Sequence, residues 1–293
     1  MKNQIVYSSG IAVAALLMGC TSTTATSITM SPASGEMAAP AEYEKFASIL
    51  SASKLQISTP NAKEGSKNEV ALDSDFTDVV NENFYVDKGS EAFVFKMEGY
   101  KLRNELRVLE HFKSDDPYTF YRLSADILPI NPNESIKNST QNRDEMTFLQ
   151  VHNKGTFDDG LHGVGYIPHP LVRIVWEGER RGVENHYWAV VKNNAVHCGT
   201  GSEHRETQAC KKAYKRYDLG PMKPDHPTRF DVIVGNQTLA IKVDGKTTVN
   251  HDISYWKDML NYFKAGVYNQ FDNGQSEAHF YSLEYAVEEK YND

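Results

Sequence analysis

The chain is expected to be all-β, a sandwich of two sheets, and three observations predict this. Sixteen Tyr and thirteen Phe among 293 residues, with few long apolar helical repeats, favour strands, because aromatic side chains pack well on a pleated, half-buried surface. From about Asn81 onward, short runs alternate polar and apolar residues with a period of two. Turn signals separate the runs at Asn131-Pro132-Asn133, Asp158-Asp159-Gly160, Gly235-Asn236, Asp244-Gly245 and Asn273-Gly274. About a dozen strands with short connections make one β-sandwich or jelly roll.

Residues 1–19 read as a signal peptide. Lys2 supplies a short positive region, and the apolar stretch Ile11 to Met18 is too short to span a bilayer. Leu17-Met18-Gly19-Cys20 resembles a bacterial lipobox, with Cys20 lipidated as the first mature residue; a plain secretory signal is the alternative. Thr21 is not the Asp that often retains lipoproteins at the inner membrane, so an outer-membrane lipoprotein is expected, or else a secreted or periplasmic protein. Contact with a membrane is expected only through this anchor. Residues 20–42 are rich in Ser, Thr, Ala and Pro, bury too little apolar surface to fold, and read as a tether.

Residues 43–293 read as a single domain. Tyr43 to Leu50 suits a short helix and Asn61 to Asn68 a polar loop. The expected strands are Phe84–Asp87, Ala92–Met97, Lys101–His111, Thr119–Leu128, Glu145–His152, Leu171–Glu177, Tyr187–Lys192, Tyr214–Leu219, Arg229–Val234, Thr238–Val243, Tyr262–Gln270 and His279–Val287. Ser254 to Leu260 suits one helical interlude, and no internal repeat is visible.

The net charge of −8 argues against nucleic acid as a partner, so a polyanion would need a local basic groove. With Cys20 assigned to lipid, Cys198 and Cys210 remain in one polar segment and suggest a disulfide closing a loop. His197 and His204 make a metal site the alternative, but the spacing matches no common zinc pattern.

Three strands carry chemistry on one face. In KLRNELRVLEHF, Arg103, Glu105 and Arg107 point one way while Leu102, Leu106 and Val108 point the other. Glu105 can hold both guanidinium groups and leave donors free for an anion; alone, the pattern is also that of a solvated strand face. In EMTFLQVHNKG, Gln150 and His152 share a face with Val151 behind them, and Phe148 breaks the alternation. In YFKAGVYNQ, Lys264, Gly266 and Tyr268 share a face, Gly266 leaving room for a ligand ring, and Asn269 falls on the core side. No paired acidic constellation for glycoside hydrolysis, nucleophile elbow or phosphate-binding glycine loop is evident. Cations, an amide, an imidazole and a phenol suit neutralisation of a carboxylate, removal of the adjacent carbon-bound proton and protonation of a leaving oxygen: β-elimination from a uronic-acid polymer.

Arg-Asn-Glu-Leu-Arg at 103–107, Gln-Val-His at 150–152 and Tyr-Phe-Lys-Ala-Gly-Val-Tyr-Asn-Gln at 262–270 resemble, in order, the three signature blocks of the alginate lyases of polysaccharide lyase family 7. The resemblance extends from about Phe46 to Val287. It implies a jelly roll with an open cleft on the concave sheet, alginate or a related acidic polysaccharide as substrate, a monomer, and neither metal nor other cofactor. It implies Arg103, Gln150, His152 and Tyr268 as catalytic residues and Glu105, Arg107 and Lys264 as substrate-binding residues. Asn104 stands where Ser or Thr is usual and Val151 where many relatives have Ile; both should face the core. In the mechanism this implies, Arg103 and Gln150 bind the carboxylate, Tyr268 protonates the glycosidic oxygen, and His152 or Tyr268 removes the C5 proton. A noncatalytic lectin for an anionic glycan is the alternative; a jelly-roll glycoside hydrolase would need a Glu-x-Asp-x-x-Glu strand, which the sequence lacks.

Overall fold

The computed structural model describes residues 33–137, 145–156 and 165–289. The signal peptide, Cys20, most of the tether and the turn at 158–160 lie outside these. In chain order the strands are β1 Met37–Ala38, β2 Ser53–Ile57, β3 Asn68–Val70, β4 Phe84–Asp87, β5 Phe93–Glu98 and β6 Arg103–Val108. Next come β7 Phe112–Lys113, β8 Phe120–Pro129, β9 Glu145–Gly155, β10 Val172–Arg180, β11 Val183–Lys192 and β12 Tyr214–Pro221. The last are β13 Thr228–Gly235, β14 Thr238–Val243, β15 Lys246–Asp252, β16 Leu260–Asn269 and β17 Gln275–Glu288.

They form two antiparallel sheets. The eight-stranded sheet runs β1-β4-β5-β17-β8-β13-β14-β15. The nine-stranded sheet runs β12-β11-β10-β9-β16-β6-β2-β3, with β7 paired to the start of β16. The sandwich is the jelly roll expected. Each expected strand is present; Phe84–Asp87 and Thr238–Val243 keep their expected ends, and the others are shifted at one or both ends. The strands not foreseen are β2, whose SKLQI hides Ser53 and Gln56 in a buried run, β15, whose KTTVNHD is mostly exposed, and the short β1, β3 and β7, too brief to show a period. The helix expected over Tyr43 to Leu50 is a 3-10 turn, Glu44–Phe46, leading into an α-helix at Ala47–Ser51. The interlude after residue 253 is a single 3-10 turn, Ser254–Trp256.

The end of the expected tether belongs to the folded body instead. The Ser34 and Gly35 amides donate to the Asp87 carboxylate, at 3.0 and 2.6 Å. Met37–Ala38 pairs with β4, and Ala38, Ala39 and Pro40 are buried. Small side chains offer little apolar area, but one buried carboxylate and a strand edge satisfy the backbone that composition alone would leave to water. Burial pushes the Asp87 carboxyl up, yet the Ser90, Ser34 and Gly35 amides outweigh it and hold it down at about 2.

Between the sheets lies a core in which Phe84, Phe93, Phe95 and Phe280 meet with ring centroids 4.5–5.5 Å apart. Leu106, Val151, Ile174, Phe263 and Val267 cover them from the nine-stranded sheet. Asn104 and Asn269 also face this core. Asn104 donates to the carbonyls of Asn83 and Lys96, and Asn269 donates to that of Met97 at 2.9 Å. The two amides tie the sheets together, which is why polar residues interrupt the apolar alternation at these places.

Two irregularities set which side chains reach the open face. β9 carries one extra residue against β10, for Leu149 pairs with Ile174 and Thr147 with Val175. Phe148 is that residue, and it turns fully into the core. Parity along β9 therefore flips: Glu145 and Thr147 share the open face with Gln150 and His152. On β16, Gly266 and Val267 together oppose Phe148. Gly266 takes a φ of +141°, and a Cβ there would fall 2.2 Å from the Asn104 carbonyl oxygen and 3.0 Å from a Phe95 ring carbon. The glycine serves the close approach of β16 to β6, not room for a ligand ring as its spacing suggested. Gly266→Ala should lower stability by about 2–4 kcal/mol, from backbone strain and clash together. Gly245→Ala, also at positive φ (+78°) but facing open space, should lose about 1 kcal/mol; equal losses in denaturant titration would show the close approach to be immaterial.

Candidate active site

A cleft of about 640 Å³ opens on the free face of the nine-stranded sheet. Arg103 from β6, Tyr268 from β16, and Gln150 and His152 from β9 all line it. These are the three central strands, in the order β9-β16-β6. Register brings the groups together: Lys264 pairs with Gln150 on one side and Arg107 on the other, and Tyr268 pairs with Arg103.

Glu105, Lys264 and Arg107 lie beneath this lining. Glu105 is 1% exposed and Lys264 3%, and neither lines the cleft as their face suggested. Lys264 Nζ donates to Glu105 Oε2 at 3.0 Å, Arg103 reaches the same oxygen at 3.3 Å, and Gln150 Nε2 donates to Oε1. The Glu105 side chain thus meets Gln150 above β16, where Gly266 presents no side chain. Arg107 lies 4.0 Å from the Tyr262 ring centroid and hydrogen-bonds His111 at 2.7 Å. These residues hold the lining in place, because a buried ion must be paired and these strands supply the partners.

The electrostatics follow from that burial. Burial pushes the Glu105 carboxyl up, but Lys264 and Arg103 outweigh it and hold it below the usual carboxylate range. Burial lowers the Lys264 ammonium to about 7 despite Glu105. His152 lies well below the ordinary imidazole range, chiefly through burial and then through the Lys264 charge. Its ring is stacked on Tyr262 (5.4 Å, 13°) and on Tyr166 (6.4 Å, 14°). Nδ1 sits 3.0 Å from the Asn153 amide and 3.2 Å from its carbonyl, so either neutral tautomer finds a partner. Asn153 also grips residues 167–169, its side chain bonding the Ile167 amide and the Ile167 and His169 carbonyls. The Tyr268 ring lies 4.6 Å from the Arg103 guanidinium. Burial raises its phenol above the ordinary value, with Arg103 and Arg173 opposing. Among the described residues, Arg103 Nε is buried without a partner, leaving a donor for an anion.

The fold adds residues that the sequence reading passed over. Tyr262 stands on the polar face of the same β16 stretch as Lys264 and Tyr268. Arg173 pairs with Gln150 across β10 and lines the cleft; period two in VRIVWEG puts Arg173 and Glu177 on one polar face, a signal legible in the chain. Arg173 and Arg216 are both bound to the buried Glu145, and Arg216 also to Glu177. Cys198 and Cys210 are disulfide-bonded, so neither sulfur remains for a metal.

This arrangement agrees with the relationships of the whole chain. The alginate lyase family model matches residues 50–287. The chain belongs to the alginate lyases of polysaccharide lyase family 7. An alginate lyase of a Photobacterium species is 53% identical over 258 residues, which is 87% of this chain and 90% of that protein. The structure of alginate lyase AlyC3 superposes with a TM-score of 0.84 at 51% identity, covering 87% of this chain and 97% of that one. Its complex with dimannuronate superposes equally well at 49% identity, covering 90% of this chain and all of that one. Alginate lyase A1-II' shares the fold, with a TM-score of 0.61 at 17% identity over 84% of this chain and 99% of that one. The protein is thus a carbon–oxygen lyase, and these relationships give no support to a noncatalytic lectin.

Because Lys264 helps to depress His152, imidazole NMR should find His152 neutral at pH 6.5, with Lys264→Met moving its titration upward. The folded chain binds this proton less readily than the unfolded chain. His152 therefore disfavours folding as pH falls below about 6.5, and this penalty is absent above it. A titration unchanged by Lys264→Met would remove the lysine as a cause.

Proposed function

We propose that the chain cleaves alginate by β-elimination in this cleft, leaving products that end in an unsaturated uronate. The convergence of Arg103, Gln150, His152 and Tyr268 on one cleft carries this reading. Arg103, with its unpartnered Nε, and the second amide hydrogen of Gln150 receive the carboxylate of the sugar being cleaved. Neutralising that charge stabilises the enolate-like state and lowers the barrier to losing the C5 proton. The C5–H electron pair becomes the C4–C5 double bond, the C4–O bond breaks, and the leaving oxygen takes the Tyr268 proton. The upward shift of Tyr268 keeps that proton in place at neutral pH, as an acid requires.

Stereochemistry selects the base. In guluronate the C5 hydrogen and C4 oxygen are anti, and His152 with a bare Nε2 takes the proton, its Nδ1–H donated to the Asn153 carbonyl. In mannuronate they are syn, and Tyr268 serves both steps: as a phenolate it takes the C5 proton and passes it to the leaving C4 oxygen, with Arg103 and Arg173 offsetting part of the rise that burial imposes on its phenol. His152 then keeps its hydrogen on Nε2 and donates to the carboxylate. The AlyC3 complex with dimannuronate supports a mannuronate-containing chain as occupant. Glu105, Lys264 and Arg107 act by holding Gln150, Arg103 and Tyr262. A monomer is proposed with this reading, since Arg103, Gln150, His152 and Tyr268 of a single chain already meet in one cleft.

Tyr268→Phe should keep the fold and most of the binding while turnover falls about a hundredfold or more, the scale of a lost proton-transfer group. The assay follows ultraviolet absorbance of the unsaturated product on pure polymannuronate and pure polyguluronate. Near-normal turnover on both would end the assignment of Tyr268 as the acid.

We further propose that the mature protein is a bacterial outer-membrane lipoprotein carried by Cys20. The lipobox-like Leu17-Met18-Gly19-Cys20 supports this, as do the disulfide, which suits an oxidising compartment, and the relative from a bacterium. Cys20→Ala should move the protein from the membrane to the soluble fraction; equal membrane retention would refute the anchor.

A further inference from the structure

The reacting groups occupy β6, β16 and β9, but the cleft does not stop there. It continues across β10, β11 and β12, where Arg173, Val190, Tyr214 and Arg216 line it. Its far wall is the segment 193–213, which contributes Thr200 and Arg205 along with both cysteines. β12 lies three strands from β9, roughly 14 Å at the usual strand spacing. A sugar beside that wall is therefore a different unit of the polymer from the one being cleaved.

The charges along this extension are unequal. Arg173 and Arg216 are bound to Glu145 and Glu177. Lys101, at the opposite end of the cleft, is paired with Glu64. The Arg205 side chain is 57% exposed, and among the described residues its one ion pair, with Glu206, stretches to 4.0 Å. Arg205 thus retains donors for an incoming carboxylate.

The wall itself is built rather than loose. The Cys198–Cys210 bond closes it. Within it, Ser202 bonds the His197 carbonyl at 2.5 Å and Asn194 the Ala209 carbonyl at 2.8 Å. Lys192, buried at the end of β11, holds Asn194 and lies 3.9 Å from Cys198 Sγ. Gly199 packs so closely on Pro168 that a Cβ there would come within 3.3 Å of it. Pro168 belongs to the segment that Asn153 grips beside His152, so the wall is braced against the element flanking the reacting centre.

We propose that residues 193–213 form a disulfide-held binding wall in which Arg205 takes the carboxylate of a uronate unit distant from the cleaved bond. The wall makes the enzyme favour long chains. This deepens the reading of the cleft as an alginate site and rests on it.

The test measures kcat and KM for wild type, Arg205→Ala, Arg205→Lys and the Cys198→Ser/Cys210→Ser double variant. The substrates are long-chain alginate and the shortest alginate oligomer that wild type cleaves. Arg205→Ala should raise KM on the polymer about tenfold or more, the scale of one charge-assisted hydrogen bond, and raise it far less on the oligomer. Arg205→Lys should recover part of the loss, and the double variant should show the same length-dependent pattern. An unchanged KM on the polymer, or equal rises on both substrates, would overturn the proposal. If the double variant fails to fold, the two Arg205 variants decide. Wild type that cleaves neither substrate would instead strike the functional reading.

Discussion

The Glu105 carboxylate is the point on which the site depends. It is buried in the floor of the cleft and reached by groups from three strands: Arg103 on its own β6, Lys264 on β16 and Gln150 on β9. A lone buried carboxylate would be strongly disfavoured, so the strands must stay in the register that supplies its partners. Those partners are the groups that orient the cleft. Gln150 is turned by its bond to Glu105, Arg103 is drawn over Tyr268, and the Lys264 charge helps to keep the His152 imidazole neutral. One ion thus fixes the orientation of the carboxylate-binding groups and helps to set the protonation state of the candidate base.

The backbone makes that cluster possible. Phe148 is an extra residue in β9, and Gly266 with Val267 opposes it on β16. Without the bulge, Phe148 would face the cleft and Thr147 and Glu145 the core, burying a carboxylate among phenylalanines. With it, Glu145 reaches Arg173 and Arg216, and a second charge-balanced group extends the cleft floor. Gly266 is the residue that tolerates the resulting φ and the contact with the Asn104 carbonyl. Bulges commonly re-aim side chains beside functional sites, and here two adjacent ones separate a core face from a reacting face.

The overall charge of −8 and a polyanionic substrate are reconciled by where the positive charge lies. Arg173, Arg216 and Lys101 are held close to carboxylates, whereas Arg103 keeps an unpartnered Nε beside its bond to Glu105 and Arg205 has only a 4.0 Å pair with Glu206 among the described residues. Attraction for a uronate chain is therefore local and works against the overall charge.

Much of this was determined by the sequence alone. Period-two alternation and turn dipeptides place the principal strands, because a strand with one face buried must alternate. The three blocks around Arg103, Gln150 and Tyr268 identify the family, and their polar parity places the four cleft residues. The tertiary structure decided the rest. Glu105, Arg107 and Lys264 share that parity, but a strand pattern reports only which face a residue is on. Depth depends on neighbours brought in from distant strands, and those neighbours bury all three. Phe148 and Gly266 have meanings set by a register that exists only once β9, β10 and β16 pair. The Ser34–Pro40 segment looks too polar to fold because its anchor, Asp87, lies some fifty residues away in the chain. Pairing Cys198 with Cys210 follows from their being the last two cysteines; that the loop between them forms a wall of the cleft follows only from where β11 and β12 carry it.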